Sequence, residues 1–212
     1  VLTDKATSTR NTNDFYPTPS AVVEQVVKLC LPKLLPVQMQ RVLDPGCGTS
    51  FIWGRAIADA YSHYDPAVTG IDLHDPALVE QDLTARLRYI QQDYLTYQAE
   101  RPFDLIIGNP PFRLVSEFIT HSLDLVARNG SVLMLTRLGI LESRKRTNEG
   151  LFTQLRPTHV FVFVDRPKFT GGNSSDMTPY CMLGWDANRM VHGRQPPTHL
   201  YTLDWKEAKL YG

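Results

Sequence analysis

No run of roughly 18 or more apolar residues occurs in this 212-residue chain, so no membrane-spanning helix is expected. Cysteine is scarce. Cys30, Cys47 and Cys181 are far apart and odd in number, without the spacing of a metal site or a disulfide framework. Reduced thiols in a cytoplasmic protein, with no bound metal, are expected. The polar stretch from Val1 to Asp14 lacks a secretory-signal pattern. Net charge is +0, which disfavours a protein that merely coats nucleic acid. Internal repeats and long low-complexity segments are missing. His63, His74, His121, His159, His192 and His199 show no ligand spacing and read as structural or surface residues. Trp53, Trp185 and Trp205 read as packing residues.

What is present fits one α/β domain: 42% hydrophobic and 21% charged residues, at a length that can bury a substantial core. The charge is unevenly spread. Residues 1–112 hold 9 basic and 13 acidic side chains, a balance of −4, whereas residues 113–212 hold 13 and 9, a balance of +4. A nucleic-acid surface would therefore lie on the C-terminal half.

Residues 1–14 read as a flexible arm, residues 15–186 as the domain, and residues 187–212 as an extension that packs on it or is partly flexible. The prolines of Phe15-Tyr16-Pro17-Thr18-Pro19 keep that stretch extended. Ser20 then suits an N-cap, and Val22, Val23, Val26, Val27 and Cys30 predict a helix from Ala21 to Leu31, ended by Pro32 and Pro36. Short apolar runs predict strands at Arg41–Asp44, Ala67–Asp72, Arg88–Gln91, Phe103–Gly108, Ser131–Thr136, His159–Val164 and Tyr180–Trp185. Helices are expected at Phe51–Tyr61, from Asp75 to Ala85, at Val115–Ala127 and at Leu138–Leu155, with a turn at Asn129-Gly130. Strands alternating with helices predict a doubly wound, mostly parallel seven-stranded sheet. The last two strands have too short a connection for a crossover and should pair antiparallel.

Two constellations carry chemistry. The first is Asp44-Pro45-Gly46-Cys47-Gly48, between a strand and a helix, where glycines let backbone approach a ligand. Asp72 ends the second strand, where a carboxylate accepts the ribose hydroxyls of a nucleoside cofactor. Asp93, in Gln92-Asp93-Tyr94, follows the third strand and can accept from an adenine amine. All three positions converge on the carboxyl ends of successive strands, the ligand crevice of an open α/β sheet.

The second is Asn109-Pro110-Pro111-Phe112 after the fourth strand. An aromatic exocyclic amine is a poor nucleophile because its lone pair is delocalised into the ring. The Asn109 side-chain oxygen and the Pro110 carbonyl can hold its two N–H groups and stabilise the developing positive charge. The prolines stiffen the loop. Phe112 can stack on the base, which must be single-stranded or flipped from its helix.

These motifs resemble those of class I S-adenosylmethionine-dependent methyltransferases, and within them the amino-methyltransferases of the Asn-Pro-Pro-Phe type. The resemblance runs from about Phe15 to Trp185 and implies a Rossmann-like fold with S-adenosyl-L-methionine as cofactor and S-adenosyl-L-homocysteine as product. Tyr16, Pro17 and Thr18 resemble the N-terminal motif that contacts the methionine part of the cofactor in adenine-N6 DNA methyltransferases. Asp44, Pro45, Gly46, Cys47 and Gly48 resemble the cofactor loop, Asp72 the ribose acid, and Asp93 with Tyr94 the adenine contact. Asn109, Pro110, Pro111 and Phe112 resemble the catalytic tetrapeptide, Asn109 also facing the cofactor. The motif order is that of the gamma-type arrangement.

The stretch from Lys168 and Phe169 to Gly172 resembles a loop of phage and prophage adenine methyltransferases that helps hold the target base. Arg137, Arg144, Lys145, Arg146, Arg166 and Lys168 could supply phosphate contacts.

Two departures stand out: Ser50 replaces a third loop glycine, and no separate target-recognition domain is expected after the core. A recognition partner or self-association could then supply sequence selection.

The resemblance implies methylation of adenine N6 in DNA, in a bacterial or phage-infected cell. Alternatives are methylation of ribosomal or transfer RNA at adenine N6 or guanine N2, of a protein glutamine at N5, or a non-catalytic methyltransferase-like binding subunit. The glutamine-directed group typically has Tyr where Phe112 stands.

Overall fold

The computed structural model describes residues 17–34, 39–79, 86–142, 144–148, 150–169, 178–186 and 196–212. Tyr16, the 1–14 arm, the loop at 170–177 and the segments 80–85 and 187–195 lie outside the described residues.

Among the described residues nine strands form one sheet: β1 (Arg41–Pro45), β2 (Ala67–Asp72), β3 (Leu87–Gln91), β4 (Phe103–Gly108), β5 (Val126–Arg137), β6 (His159–Phe163), β7 (Tyr180–Asp186), β8 (His199–Asp204) and β9 (Lys209–Tyr211). Their order is β3-β2-β1-β4-β5-β7-β6-β8-β9. The first five pair in parallel. β7 inserts antiparallel between β5 and β6, as the short connection requires. Among the described residues the α-helices are α1 (Ser20–Gln25), α2 (Ile52–Ala60), α3 (Val115–Leu125) and α4 (Arg144–Asn148). No helix among the described residues is long and apolar enough to cross a membrane.

In the central strands β1, β4, β5 and β7 both faces are buried, which explains their nearly continuous apolar runs. Alternate residues face opposite ways. Val42, Leu105, Ile107, Leu133 and Leu135 pack with α1 and α2 residues such as Val22, Val23 and Ile57. Leu43, Ile106, Val132 and Met134 pack with Val115, Phe118 and Ile119 of α3. The chain reverses its direction of winding between β1 and β4, so a crevice opens at their carboxyl ends.

Several elements differ from expectation. The first helix starts on Pro19, whose carbonyl accepts the Val22 and Val23 amides, so Ser20 is its first residue and not its cap. It continues as a π-turn at Val26–Cys30 and a 3-10 turn at Leu31–Lys33, which still buries the predicted apolar face. Asn129-Gly130 is no turn. Both residues lie within β5, where pairing jumps from Phe103↔Val126 to Leu105↔Ser131. A Cβ on Gly130 would stand 2.7 Å from the Asp104 carbonyl, so glycine permits this approach.

Leu138–Leu155 is not one helix. It breaks into a 3-10 turn at Leu138–Leu141, the short α4, and turns beyond Gly150, whose φ of 87° stops the helix. Asp75-Pro76 opens only a 3-10 turn among the described residues.

The count of seven strands rises to nine because the C-terminal extension adds β8 parallel to β6 and then β9. β8 buries one side chain, Leu203, so it lacks the alternation that marks a strand in sequence.

Candidate active site

The turn after β1 sets the site. Gly46 and Gly48 adopt φ of 69° and 62°, values that glycine takes without strain. The Gly46 and Cys47 amides donate to the Ile71 carbonyl of β2, binding the loop to the neighbouring strand. The Gly48 amide donates to Asp72 Oδ2 at 2.8 Å. Asp72 Oδ1 accepts the His74 amide at 3.1 Å and lies 2.5 Å from His74 Nδ1. Both carboxylate oxygens are thus held, and the Tyr89 hydroxyl donates to the His74 carbonyl to brace the turn. Each carboxylate oxygen can accept more than one donor, so Asp72 keeps capacity for a vicinal diol.

A cavity of about 280 Å³ opens here. The predicted residues Pro17, Thr18, Gly46, Cys47, Asp72, Asp93, Tyr94, Asn109 and Pro111 all line it. Asp93 Oδ1 accepts the Leu95 amide, capping a short 3-10 turn at Tyr94–Thr96, while its carboxylate stays exposed. The Tyr94 hydroxyl bonds Ser122 Oγ at 2.7 Å, and burial pushes its pKa up, so Tyr94 offers a neutral ring.

Other predicted residues stand behind the cavity wall. Asp44 is fully buried, and its Oδ2 accepts the Gly54 amide of α2 at 3.0 Å. Burial holds this carboxyl well above the usual carboxylate range. Gly108 meets β1 closely: a Cβ there would lie 3.0 Å from the Pro45 carbonyl. Cys47 keeps its proton, because burial and the nearby carboxylates of Asp44 and Asp72 raise its pKa.

The catalytic candidates follow β4. Asn109 Nδ2 donates to Thr18 Oγ1 at 3.1 Å, joining the tetrapeptide to the Pro17-Thr18-Pro19 stretch. Pro110 is buried, and the Pro111 carbonyl accepts the Leu114 amide to lead into α3. Phe112 does not line the cavity. Its ring is 9% exposed, with Tyr180 at 5.7 Å, Phe169 edge-on at 6.5 Å, and the Arg137 guanidinium 4.7 Å above its centroid.

The basic set is therefore split. Arg137, the last residue of β5, reaches the tetrapeptide. Arg144, Arg166 and Lys168 are exposed, Arg146 donates to the Ile140 carbonyl, and Lys145 contributes its backbone to α4. Phe169 is 3% exposed and packs in the core beside Phe112.

Residues missed in the sequence also line the cavity: His74, Ile52, Trp53, Arg113, Leu114 and Phe118. His74 stood two positions beyond the strand-end Asp72, a spacing that places it in the same turn. Phe118 was visible as the apolar face of α3, yet nothing in that pattern separates a cavity wall from a core residue.

A family model described as "Methyltransferase small domain" matches residues 21–146. A tRNA1(Val) (adenine(37)-N6)-methyltransferase of Bacteroides thetaiotaomicron is 27% identical over 129 residues, covering 57% of this chain and 53% of that protein. The chain therefore spans about half the length of the curated relative it matches. Among solved structures, a class I S-adenosylmethionine-dependent methyltransferase of Listeria monocytogenes superposes with TM-score 0.64 at 16% identity, over 92% of this chain and 67% of that one. The methyltransferase subunit of a type I restriction-modification system from Streptococcus thermophilus gives 0.60 at 15% identity, over 89% and 47%. An RNA methyltransferase of Pyrococcus horikoshii gives 0.59 at 14% identity, over 81% and 87%. At these identities the likeness is one of fold.

Proposed function

The chain belongs to the methyltransferase small domain family, and from that premise we propose that it methylates the N6 amine of adenine in DNA. Its cofactor is S-adenosyl-L-methionine, which when bound supplies a methyl group already activated on a sulfonium. The residues present suit it: Asp72 would hold the ribose hydroxyls, Asp93 the adenine amine, and Pro17, Thr18, Gly46 and Cys47 the remainder of the molecule.

The observation that carries the acceptor reading is the Asn109–Thr18 hydrogen bond. An amide whose nitrogen donates to Thr18 is oriented with its oxygen as the acceptor, the polarity needed to hold an amine proton. The Pro110 carbonyl would accept a hydrogen bond from the second N–H. Two fixed acceptors favour a pyramidal nitrogen and stabilise the charge that develops on it. Activation then rests on positioning and on prearranged dipoles.

A second reading places the adenine in RNA. It is favoured by the Bacteroides relative, whose name specifies a tRNA adenine N6. Transfer of a radiolabelled methyl group to DNA, RNA and protein in parallel tests both, with the product nucleoside identified by chromatography. Label recovered as N6-methyldeoxyadenosine is the expected result. Label in RNA alone would move the substrate and keep the chemistry, and label in protein alone would overturn the reading.

A further inference from the structure

Among the described residues Arg137 is a cation without an anion. Among the described residues its guanidinium makes no ion pair and no hydrogen bond, and its Nε is buried without an acceptor. A half-buried guanidinium left this way is costly, because desolvation is not offset by a partner. It lies 4.7 Å above the centroid of Phe112, the ring expected to receive the target base.

The geometry also says which neighbour can move. A base needs an open ring face, and Phe112 is 9% exposed. Phe169 and Tyr180 are 3% and 1% exposed, pack against each other at 4.6 Å, and belong to the core. Arg137 is partly exposed, long and planar, and no described residue holds its guanidinium by a hydrogen bond. Its backbone, by contrast, is fixed at the end of β5 by pairing with Tyr180. A flat cation therefore occupies the place of a flat base, next to the loop that would grip the base's amine.

Resting on the adenine reading above, we propose that Arg137 and Phe112 form one nucleotide-binding unit. The guanidinium covers the ring face, yields it to the target base, and takes the phosphate beside that base as its own partner. The base gains a stacking surface in the same step that supplies the missing anion. Arg137 is then a positioning residue that makes recognition depend on the nucleotide, not on the base alone.

The test uses single-stranded decamers, in deoxy and ribo forms, with one adenine among thymines or uracils. In matched copies a neutral methylphosphonate replaces the phosphate on the 5′ or the 3′ side of that adenine. For the wild-type protein one of the two neutral linkages should raise KM about tenfold or more, as loss of a charge-assisted contact does, with kcat little changed. It should also flatten the salt dependence of binding by about 0.7 on a log–log scale. Arg137→Ala should cause the same two losses on the ordinary decamer, and the neutral linkage should then cost nothing further. Arg137→Lys should recover part of KM, and Arg137→Met covers the ring without charge should the alanine variant fold poorly.

Additive losses from the variant and the neutral linkage would overturn the proposal. So would a variant that lowers kcat at unchanged KM, the mark of a mere prop for Phe112. A wild-type protein that binds S-adenosylhomocysteine but methylates no decamer would instead bring down the base-amine reading, and this proposal with it.

Discussion

Thr18 and Asn109, 91 positions apart in the chain, meet in a 3.1 Å hydrogen bond from Asn109 Nδ2 to Thr18 Oγ1. In this arrangement the amide nitrogen faces Thr18 and the oxygen faces away. The bond also ties the stretch before α1 to the loop after β4, so the two motifs act as one wall. Thr18→Val keeps the volume of this buried residue and removes the acceptor. A lost hydrogen bond of this kind is worth about 1–2 kcal/mol, so turnover should fall roughly 5- to 30-fold. Thr18→Ser should retain most of it. Steady-state turnover beside calorimetric cofactor affinity checks this, and equal losses in both would show that Thr18 serves only the cofactor.

A second prediction concerns Asp72 and His74. The carboxylate is gripped by the Gly48 amide and by His74, so it is preset before any ligand arrives. Asp72→Ala should weaken S-adenosylhomocysteine binding by about tenfold or more, since it removes a charged acceptor of roughly 1.5–3 kcal/mol. His74→Ala should weaken it less, because Gly48 still holds one carboxylate oxygen. Titration calorimetry that ranks the two variants the other way would make His74 the principal contact.

Much of this was legible in the sequence for a physical reason. Strand ends carry their own markers: Asp44, Asp72 and Asn109 each close a short apolar run, Asp93 follows the third strand, and the parallel order brings those ends together. What was not legible depends on partners distant in the chain. β8 is recognisable only through its pairing with β6, since its own pattern buries Leu203 alone. The π-turn at Val26–Cys30 keeps the same apolar face as an α-helix would. Arg137 reads as one basic residue among several until β5 sets it above Phe112.

Phe51 gives a third prediction. It opens α2 at a φ of 50°, fully buried, with its ring in the space beside Gly54 and Gly70. A Cβ on Gly70 would meet the ring at 2.6 Å and Cys47 Sγ at 2.8 Å. Gly70→Ala should therefore destabilise the fold by about 1–3 kcal/mol through overpacking. Phe51→Leu in the same chain should relieve part of that loss. Denaturant midpoints of the single and double variants measure it, and strict additivity would mean that ring and glycine do not share the space.

A fourth prediction concerns pH. Asp44 has its pKa raised by burial, against the opposing pull of the Gly54 amide and with added repulsion from Asp72. The folded protein thus binds this proton more tightly than the unfolded chain does. The stability that follows is complete below the ordinary value of 3.8 and is lost as pH rises through the folded value. Asp44→Asn keeps an oxygen for the Gly54 amide and carries no charge at any pH. Its thermal midpoint should gain on the wild type as pH rises from about 4 to about 8. A constant difference across that range would mean that the wild-type carboxyl is ionised throughout.

The last prediction separates the catalytic assignment from everything around it. Asn109 lines the same cavity as Asp72, so its loss could act on the cofactor, on the base or on the fold. The three are distinguishable. An acceptor that matters because charge develops on the amine does its work in the transition state, and removing one such prearranged group costs roughly 3–4 kcal/mol, or a 10²–10³-fold drop in turnover. Asn109→Ala should show that drop in single-turnover methylation while S-adenosylhomocysteine affinity stays within a few-fold. Its melting temperature should fall only slightly, since the loop is held by Pro110, Pro111 and the Leu114 amide bond. Asn109→Asp replaces the donor toward Thr18 with a second acceptor, to which the Thr18 hydroxyl can turn and donate, so this variant keeps an aimed oxygen and should lose less turnover than the alanine variant. Normal methylation by the alanine variant would refute the assignment. A drop matched by an equal loss of cofactor affinity would move Asn109 from the amine to the cofactor.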